Sequence, residues 1–139
     1  IRTFDADMRK QIFADLRNVA AHTAAAHGAN ATTDIYENEG NPATVNDPAL
    51  TARMLPSLQA VVGKDNVYEP PLQMGSEDFS LYARQVPGMF FFVGSTGEGI
   101  DPSTAPSNRS PKFLLDEKAL DVGLRALLQV SLDYLHGSS

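Results

Sequence analysis

Three features of this 139-residue sequence predict an α/β fold. Apolar residues recur at intervals of three and four in long stretches, as in helices that cover a core with one face. The longest apolar run, Met-Phe-Phe-Phe-Val at residues 89–93, is short, as in a buried strand. Glycine and proline punctuate the chain between these stretches. Helical and strand-like segments therefore alternate, which indicates an α/β or α+β architecture.

The first helix is predicted over residues 6–27. Asp5 precedes the apolar period and suits the N-cap, because its carboxylate can accept a hydrogen bond from a free amide of the first turn. Gly28 follows the period and suits the stop. Residues 31–36 contain two threonines and an Ile-Tyr pair, which predicts a short strand.

A hinge and a second helix follow. Residues 37–47 are rich in asparagine, glycine and proline and have no hydrophobic period, so we predict an interdomain hinge there. Asp47 and Pro48 are a favourable N-cap and first helical residue, and Gly63 marks the end. Pro56 removes a backbone donor inside this helix, which predicts either a kink or two abutting short helices.

The remaining elements are two strands and two helices. We predict strands at residues 66–68 and 89–93, and a loop at residues 94–111 that is rich in glycine and proline. Ser76 is the predicted N-cap of the third helix. Asp116 is the predicted N-cap of the last helix, whose leucine-rich stripe ends at Gly137.

Charge and composition exclude several classes of partner. A formal net charge of -6 and a pI near 4.9 disfavour binding to nucleic acid or to an anionic membrane, since both reward clustered Lys and Arg. A small-molecule or protein partner is favoured. No apolar run approaches the roughly 20 residues of a membrane helix. Cysteine is absent, so disulfides and thiolate metal sites are excluded, and the cellular compartment stays open.

Residues 74–79, Met-Gly-Ser-Glu-Asp-Phe, have two interpretations. In the first, Glu77 and Asp78 only complement the positive end of a helix. In the second, Gly75 lets a ligand approach the backbone, whose free amides hold an anion such as a carboxylate. Arg2 is by itself an ordinary surface charge, and none of the three histidines has a ligand spacing that indicates a metal. The sequence contains no Gly-x-Ser-x-Gly motif, which disfavours serine hydrolase chemistry.

Four motifs in order resemble one enzyme family. They are Ile-Arg-Thr-Phe-Asp at residues 1–5, Thr-Val-Asn-Asp at 44–47, the segment 74–79 with Val-Pro-Gly at 86–88, and Ser-Asn-Arg-Ser-Pro at 107–111 with Phe113 and the acidic pair 116–117. Together they are similar to the C-terminal part of M20-type metallopeptidases. The similarity is to the amidohydrolase branch, which includes hippurate hydrolases, N-acyl-amino-acid amidohydrolases and auxin-conjugate hydrolases.

The resemblance implies a domain organisation and cofactors. Residues 1–45 would be the second half of a small α+β lid that often mediates homodimerisation, and residues 46–139 the C-terminal part of an α/β zinc-peptidase-like catalytic domain. Family members hold two divalent metal ions, zinc or manganese, and a glutamate activates water. No match to that glutamate occurs here, so we expect it upstream of this chain, which would be a piece of a longer protein and inactive alone.

The resemblance also assigns site residues. Arg2 is similar to the lid arginine that reaches the substrate carboxylate, and Gly75 and Ser76 resemble the turn whose amides bind the same group. Arg109 stands where the family has a metal-binding histidine in Asn-His-Ser-Pro. A guanidinium stays protonated and cannot donate a lone pair to a metal. An inactive paralogue, an engineered or erroneous residue, and a shift of the metal to another group are the three explanations.

Two hypotheses for function follow. The first is a metal-dependent amidohydrolase that cleaves the amide of N-acyl amino acids or small peptides. The second is an inactive ligand-binding or dimerisation protein with the same fold. Arg109 favours the second hypothesis, whereas the intact neighbouring motifs favour the first.

Overall fold

The computed structural model describes residues 1–36 and 40–137, in which every regular element is helical. Four α-helices follow one another, and no helix in this part is long and apolar enough to cross a bilayer. The chain divides into two compact units. The first combines Ile1–Asn46 with Pro71–Gly88, and the second combines Asp47–Pro70 with Met89–Ser139. The α-helices are α1 (Ala6–Ala26), α2 (Pro48–Val62), α3 (Phe79–Ala83) and α4 (Lys118–His136), with a 3-10 helix at Lys64–Asn66.

The α/β prediction is wrong, because the described residues contain no strand. An extended segment becomes a strand only when a neighbouring strand exchanges backbone hydrogen bonds with it. The predicted strands at 31–36, 66–68 and 89–93 form no such ladder, and Asn66 belongs to the 3-10 helix. The same finding removes the α+β lid and the α/β catalytic domain as descriptions of these residues.

Residues 89–93 instead use their side chains for packing. The Phe90 and Phe92 rings meet edge to face, with centroids 5.1 Å apart. A Cβ at Gly123 of α4 would lie 3.8 Å from Val93 Cγ2, so the segment lies against that helix. The prediction of a buried strand is therefore wrong in both respects, since the run forms no strand and its residues are half-buried or, at Phe92, 70% exposed.

Helix α1 confirms its predicted bounds to within one residue. Asp5 is the N-cap, and its carboxylate accepts a hydrogen bond of 2.7 Å from the Met8 amide. Gly28 follows with a φ of 68°, a left-handed conformation that glycine adopts without strain. Phe13 is the buried residue of this helix, and the Arg9 guanidinium lies 5.2 Å above its ring.

Helices α2 and α4 pack together in the second unit. Asp47 caps α2 by accepting the Leu50 amide at 2.7 Å, and the helix continues through Pro56 as one element. Arg53, early in α2, donates to the Tyr134 carbonyl at the end of α4 at 2.9 Å. Arg125 of α4 donates to the Val61 carbonyl at the end of α2 at 3.4 Å. The two helices are therefore antiparallel.

The predicted caps of the other helices are displaced. Ser76 is not an N-cap, since α3 begins at Phe79 and Asp78 stands at its cap without a side-chain hydrogen bond. Helix α4 begins at Lys118 with Glu117 at the cap. The Asp116 carboxylate nevertheless accepts the Lys118 amide at 3.0 Å, so it satisfies a donor of the first turn.

The structure describes part of the predicted hinge at residues 37–47. Its residues 37–39 lie outside the described residues. The rest begins with Gly40 at a φ of 92° and ends where the second unit starts at Asp47. The assignment of residues 1–45 and 46–139 to separate domains stays a prediction.

Candidate carboxylate-binding site

The Arg2 side chain is hydrogen-bonded to a loop that lies far away from it in the sequence. Arg2 Nη1 donates a hydrogen bond of 2.7 Å to the Met74 carbonyl oxygen, across a separation of 72 residues. A guanidinium has several N–H donors in a planar fork, so one bond leaves further donors for a ligand. Arg2 is exposed and forms no ion pair with a carboxylate of the described residues. Its charge is therefore held in place without being neutralised.

A second tether holds the residue on the other side of Gly75. Asn41 Nδ2 donates to Ser76 Oγ at 3.3 Å, so Gly75 lies between two anchored neighbours. The backbone amides of Gly75 and Ser76 donate to no other group in the described part of the chain. A Cβ built on Gly75 would meet no atom within 4 Å, so its surroundings are open to a ligand.

The structure thus brings together Arg2, Gly75 and Ser76, which were predicted as site residues. A guanidinium and free backbone amides are both donors suited to a carboxylate, and the fork of arginine can bind its two oxygens at once. Helix α3 has only five residues, so these amides belong to a loop and the donors act individually. The arrangement can bind and orient a carboxylate.

The acidic neighbours of this loop have local structural partners. Glu77 Oε1 accepts the Phe79 amide at 3.3 Å. The buried Ser80 donates its hydroxyl to the Glu77 carbonyl at 2.7 Å. Glu77 therefore stabilises the start of α3, as the first interpretation of this segment predicts, while Gly75 and Ser76 remain open.

Arg109 lies in the second unit, at the tip of a turn. The Ser110 amide donates to the Ser107 carbonyl at 2.8 Å, which places Asn108 and Arg109 at the two central positions. A second turn follows directly, closed at 3.0 Å by the Phe113 amide and the Ser110 carbonyl. The Arg109 side chain is exposed and makes no hydrogen bond or ion pair with any described residue.

The described residues do not by themselves assemble a site for a metal ion. They contain no group of three His, Cys, Asp or Glu side chains that could surround an ion. His22 Nδ1 lies 2.8 Å from the Asn18 carbonyl of its own helix. His27 caps α1, and His136 lies in the last turn of α4. At the position that the resemblance gives to a metal ligand, Arg109 cannot coordinate a cation.

The shifted pKa values belong to groups outside the candidate site. A hydrogen bond from Lys10 lowers the pKa of Asp7, and the same bond raises the pKa of Lys10. The Ser103 amide lowers the pKa of Asp101. Hydrogen bonds from Ser57 and then Gln129 lower the pKa of Asp133. These shifts come from an ion pair within α1, a turn at residues 101–103 and the contact between α2 and α4, and none of them involves Arg2, Gly75 or Ser76.

Sequence reasoning missed Asn41. It stands just before Pro42 and close to the motif at residues 44–47, but no rule of spacing singles out one asparagine in a segment that contains several. Its partner Ser76 is 35 residues away. Only the folded chain shows that contact.

Comparison with known proteins places the chain in a class of hydrolytic enzymes. Residues 9–133 match the peptidase family M20/M25/M40. YhaA of Bacillus subtilis, which carries an amidohydrolase name, is 33% identical over 96% of this chain and 33% of its own length. The IAA-amino acid hydrolase ILR1-like 4 of Arabidopsis thaliana is also 33% identical, over 96% of this chain and 30% of its own. Thermostable carboxypeptidase 2 of Saccharolobus solfataricus is 30% identical, over 91% and 30% respectively.

The chain belongs to the M20/M25/M40 peptidase family, and the family recognised in the sequence is confirmed. Its relatives include proteins named as amidohydrolases and as peptidases. The chain spans about a third of the length of these relatives.

Proposed function

We propose that the protein carrying this chain hydrolyses the amide bond of N-acyl amino acids or small peptides, and that this chain binds the substrate carboxylate. The observation that carries the proposal is the bond between Arg2 and the Met74 carbonyl, which holds an unneutralised guanidinium against the loop that contains the free amides of Gly75 and Ser76. Family membership supports the reaction class. Names of two relatives, an amino acid hydrolase and a carboxypeptidase, support a substrate with a free carboxylate.

The proposed role of these residues is binding and orientation. The free donors of Arg2 bind one or both carboxylate oxygens, and the Gly75 and Ser76 amides bind the same group from the loop. A substrate held at its carboxylate presents its amide bond at a fixed distance from the anchor. Such positioning contributes to the rate because the reacting bond no longer has to be oriented in the transition state.

The proposed carboxylate binding does not involve the two zinc or manganese ions that the resemblance implies. The described residues contain no group of three possible ligands for them, and Arg109 would bring a positive charge towards a cation. We therefore derive no step of the reaction through residues that would hold these ions. The water-activating glutamate is likewise expected outside these residues.

Arg109 favours a second candidate function, a non-catalytic ligand-binding or dimerisation protein. Such a protein would keep the carboxylate anchor but lack the family's metal-binding histidine. The exposed turn that bears Arg109 needs no arginine for its own hydrogen bonds. A loss of the histidine would therefore leave the fold and the anchor in place.

Homodimerisation through the first unit is part of both candidates. Helix α1 exposes three large apolar side chains at spacings of eight and three residues, which puts them on one face. Their exposed fractions are 57% for Met8, 44% for Leu16 and 63% for Val19. We propose that a second copy covers this face. Sedimentation of the wild type and of Val19→Asp, which should weaken the dimer, tests the proposal.

Hydrolysis of N-benzoylglycine separates the two functions. The assay uses the longest natural form of the protein with added zinc or manganese, and compares the wild type with Arg109→His. Weak activity in the wild type and a gain in both metal content and activity in Arg109→His support an impaired amidohydrolase. Brisk wild-type activity would contradict the assigned role of Arg109. Carboxylate binding with no hydrolysis in either form would favour the second function.

A further inference from the structure

We propose that Asn41 is a positioning residue that orients the Ser76 hydroxyl for the substrate carboxylate. This inference rests on the proposed function and extends the site by one residue and one donor. The observation behind it is the hydrogen bond of 3.3 Å in which Asn41 Nδ2 donates to Ser76 Oγ. The Ser76 oxygen is thus the acceptor, so its own proton is not used in this bond.

A serine hydroxyl has one proton and two lone pairs. Because the amide of Asn41 occupies a lone pair, the rotation of the hydroxyl is restricted and its proton points to other acceptors. The described residues offer no such acceptor to Ser76. The Ser76 hydroxyl therefore joins the guanidinium of Arg2 and the backbone amides as a donor to the ligand.

The position of Asn41 is itself fixed by its neighbours. Gly40 has a φ of 92°, which turns the chain in a way that other residues adopt only with strain. Pro42 follows and restricts the backbone of Asn41 to extended geometry. Asn41 is half-buried, unlike the exposed Ser76, so its side chain has fewer alternatives than a free surface amide.

Three variants distinguish hydroxyl orientation from general support of the loop. Ser76→Ala removes the donor and Asn41→Ala removes its orienting partner. Asn41→Asp has nearly the same shape but can only accept, so the Ser76 hydroxyl would turn towards it and away from the ligand. Asn30→Ala is the matched control, because Asn30 is exposed in the same unit and has no partner among the described residues.

The measurement is the dissociation constant of N-benzoylglycine by isothermal titration, with N-benzoylglycinamide as the uncharged comparison. We expect Ser76→Ala to weaken binding of the acid roughly tenfold, as for a lost hydrogen bond to a charged group. Asn41→Ala should weaken it about threefold, and Asn41→Asp more than Asn41→Ala, since it also adds a negative charge. Asn30→Ala should bind like the wild type.

The double variant decides the mechanism. In the Ser76→Ala background, Asn41→Ala should have no further effect, because there is no hydroxyl left to orient. Binding of the acid by the wild type together with additive losses in the double variant would overturn the role of Asn41 and leave the proposed function intact. A wild type that binds acid and amide equally would overturn both.

Discussion

Replacement of Arg2 by alanine tests the carboxylate anchor. The substitution removes the charge and the donors of the guanidinium but deletes only one hydrogen bond to the described residues, the one to the Met74 carbonyl. That bond is exposed, so its loss should lower the free energy of unfolding by only about 0.5–1 kcal/mol. A charge-assisted hydrogen bond to a ligand contributes about 1.5–3 kcal/mol, and an exposed site favours the lower end. The dissociation constant of N-benzoylglycine should therefore rise about tenfold.

Two further variants make this result specific. Arg2→Lys keeps the charge but loses the planar fork, so it should bind the acid with intermediate affinity. Arg84→Ala removes the same charge from an exposed position in the same unit and should have little effect. Titrations at low salt measure all four proteins with the acid and with N-benzoylglycinamide. Equal weakening by Arg2→Ala and Arg84→Ala, or equal losses for acid and amide, would show that Arg2 does not bind the carboxylate.

Two other predictions concern stability. Met54 of α2 is 1% exposed, so Met54→Ala should lower the free energy of unfolding, measured in urea, by about 2–5 kcal/mol. Leu120 is 63% exposed, so Leu120→Ala should lower it by about 0.5 kcal/mol or less. Similar costs would contradict the assigned core. The pKa of Asp133 is lowered from 3.8, chiefly by Ser57, so its stabilisation is present above that value and lost as the pH falls through the lower folded pKa. Acidification from about pH 5 to about pH 2 should therefore destabilise the wild type more than Asp133→Asn, and equal losses would contradict this.

The helices could be predicted where local chemistry sets their ends. Asp5 and Asp47 each accept an amide of the first turn, and Gly28 and Gly63 adopt positive φ just beyond the helices. These signals lie within a few residues of one another in the sequence. They are therefore legible without knowledge of the fold.

The strands could not be predicted in the same way. A strand depends on a partner that sequence pattern does not identify, and residues 89–93 show that an apolar run can pack its side chains without a ladder. The prediction of Ser76 as an N-cap is wrong for a related reason. Its hydroxyl bonds with Asn41, a distant residue, and α3 begins only at Phe79.

Part of the candidate site could be predicted from the sequence. Arg2 and Gly75 were predicted from motif resemblance, and the fold brings them to the same loop through the Met74 carbonyl. Neither position would stand out by itself, because an exposed arginine and a loop glycine are common in any protein. Asn41 could be recognised only from its contact in the folded chain.

The most direct test of the carboxylate site is an NMR titration of the wild-type chain with N-benzoylglycine and with N-benzoylglycinamide. The two compounds differ only at the carboxylate, so the comparison isolates the group that the site is proposed to bind. We predict saturable shifts of the Gly75 and Ser76 amide resonances and of the Arg2 side chain with the acid, and little change with the amide. Equal shifts with both compounds, or shifts confined to other residues, would contradict a carboxylate-binding role for this loop.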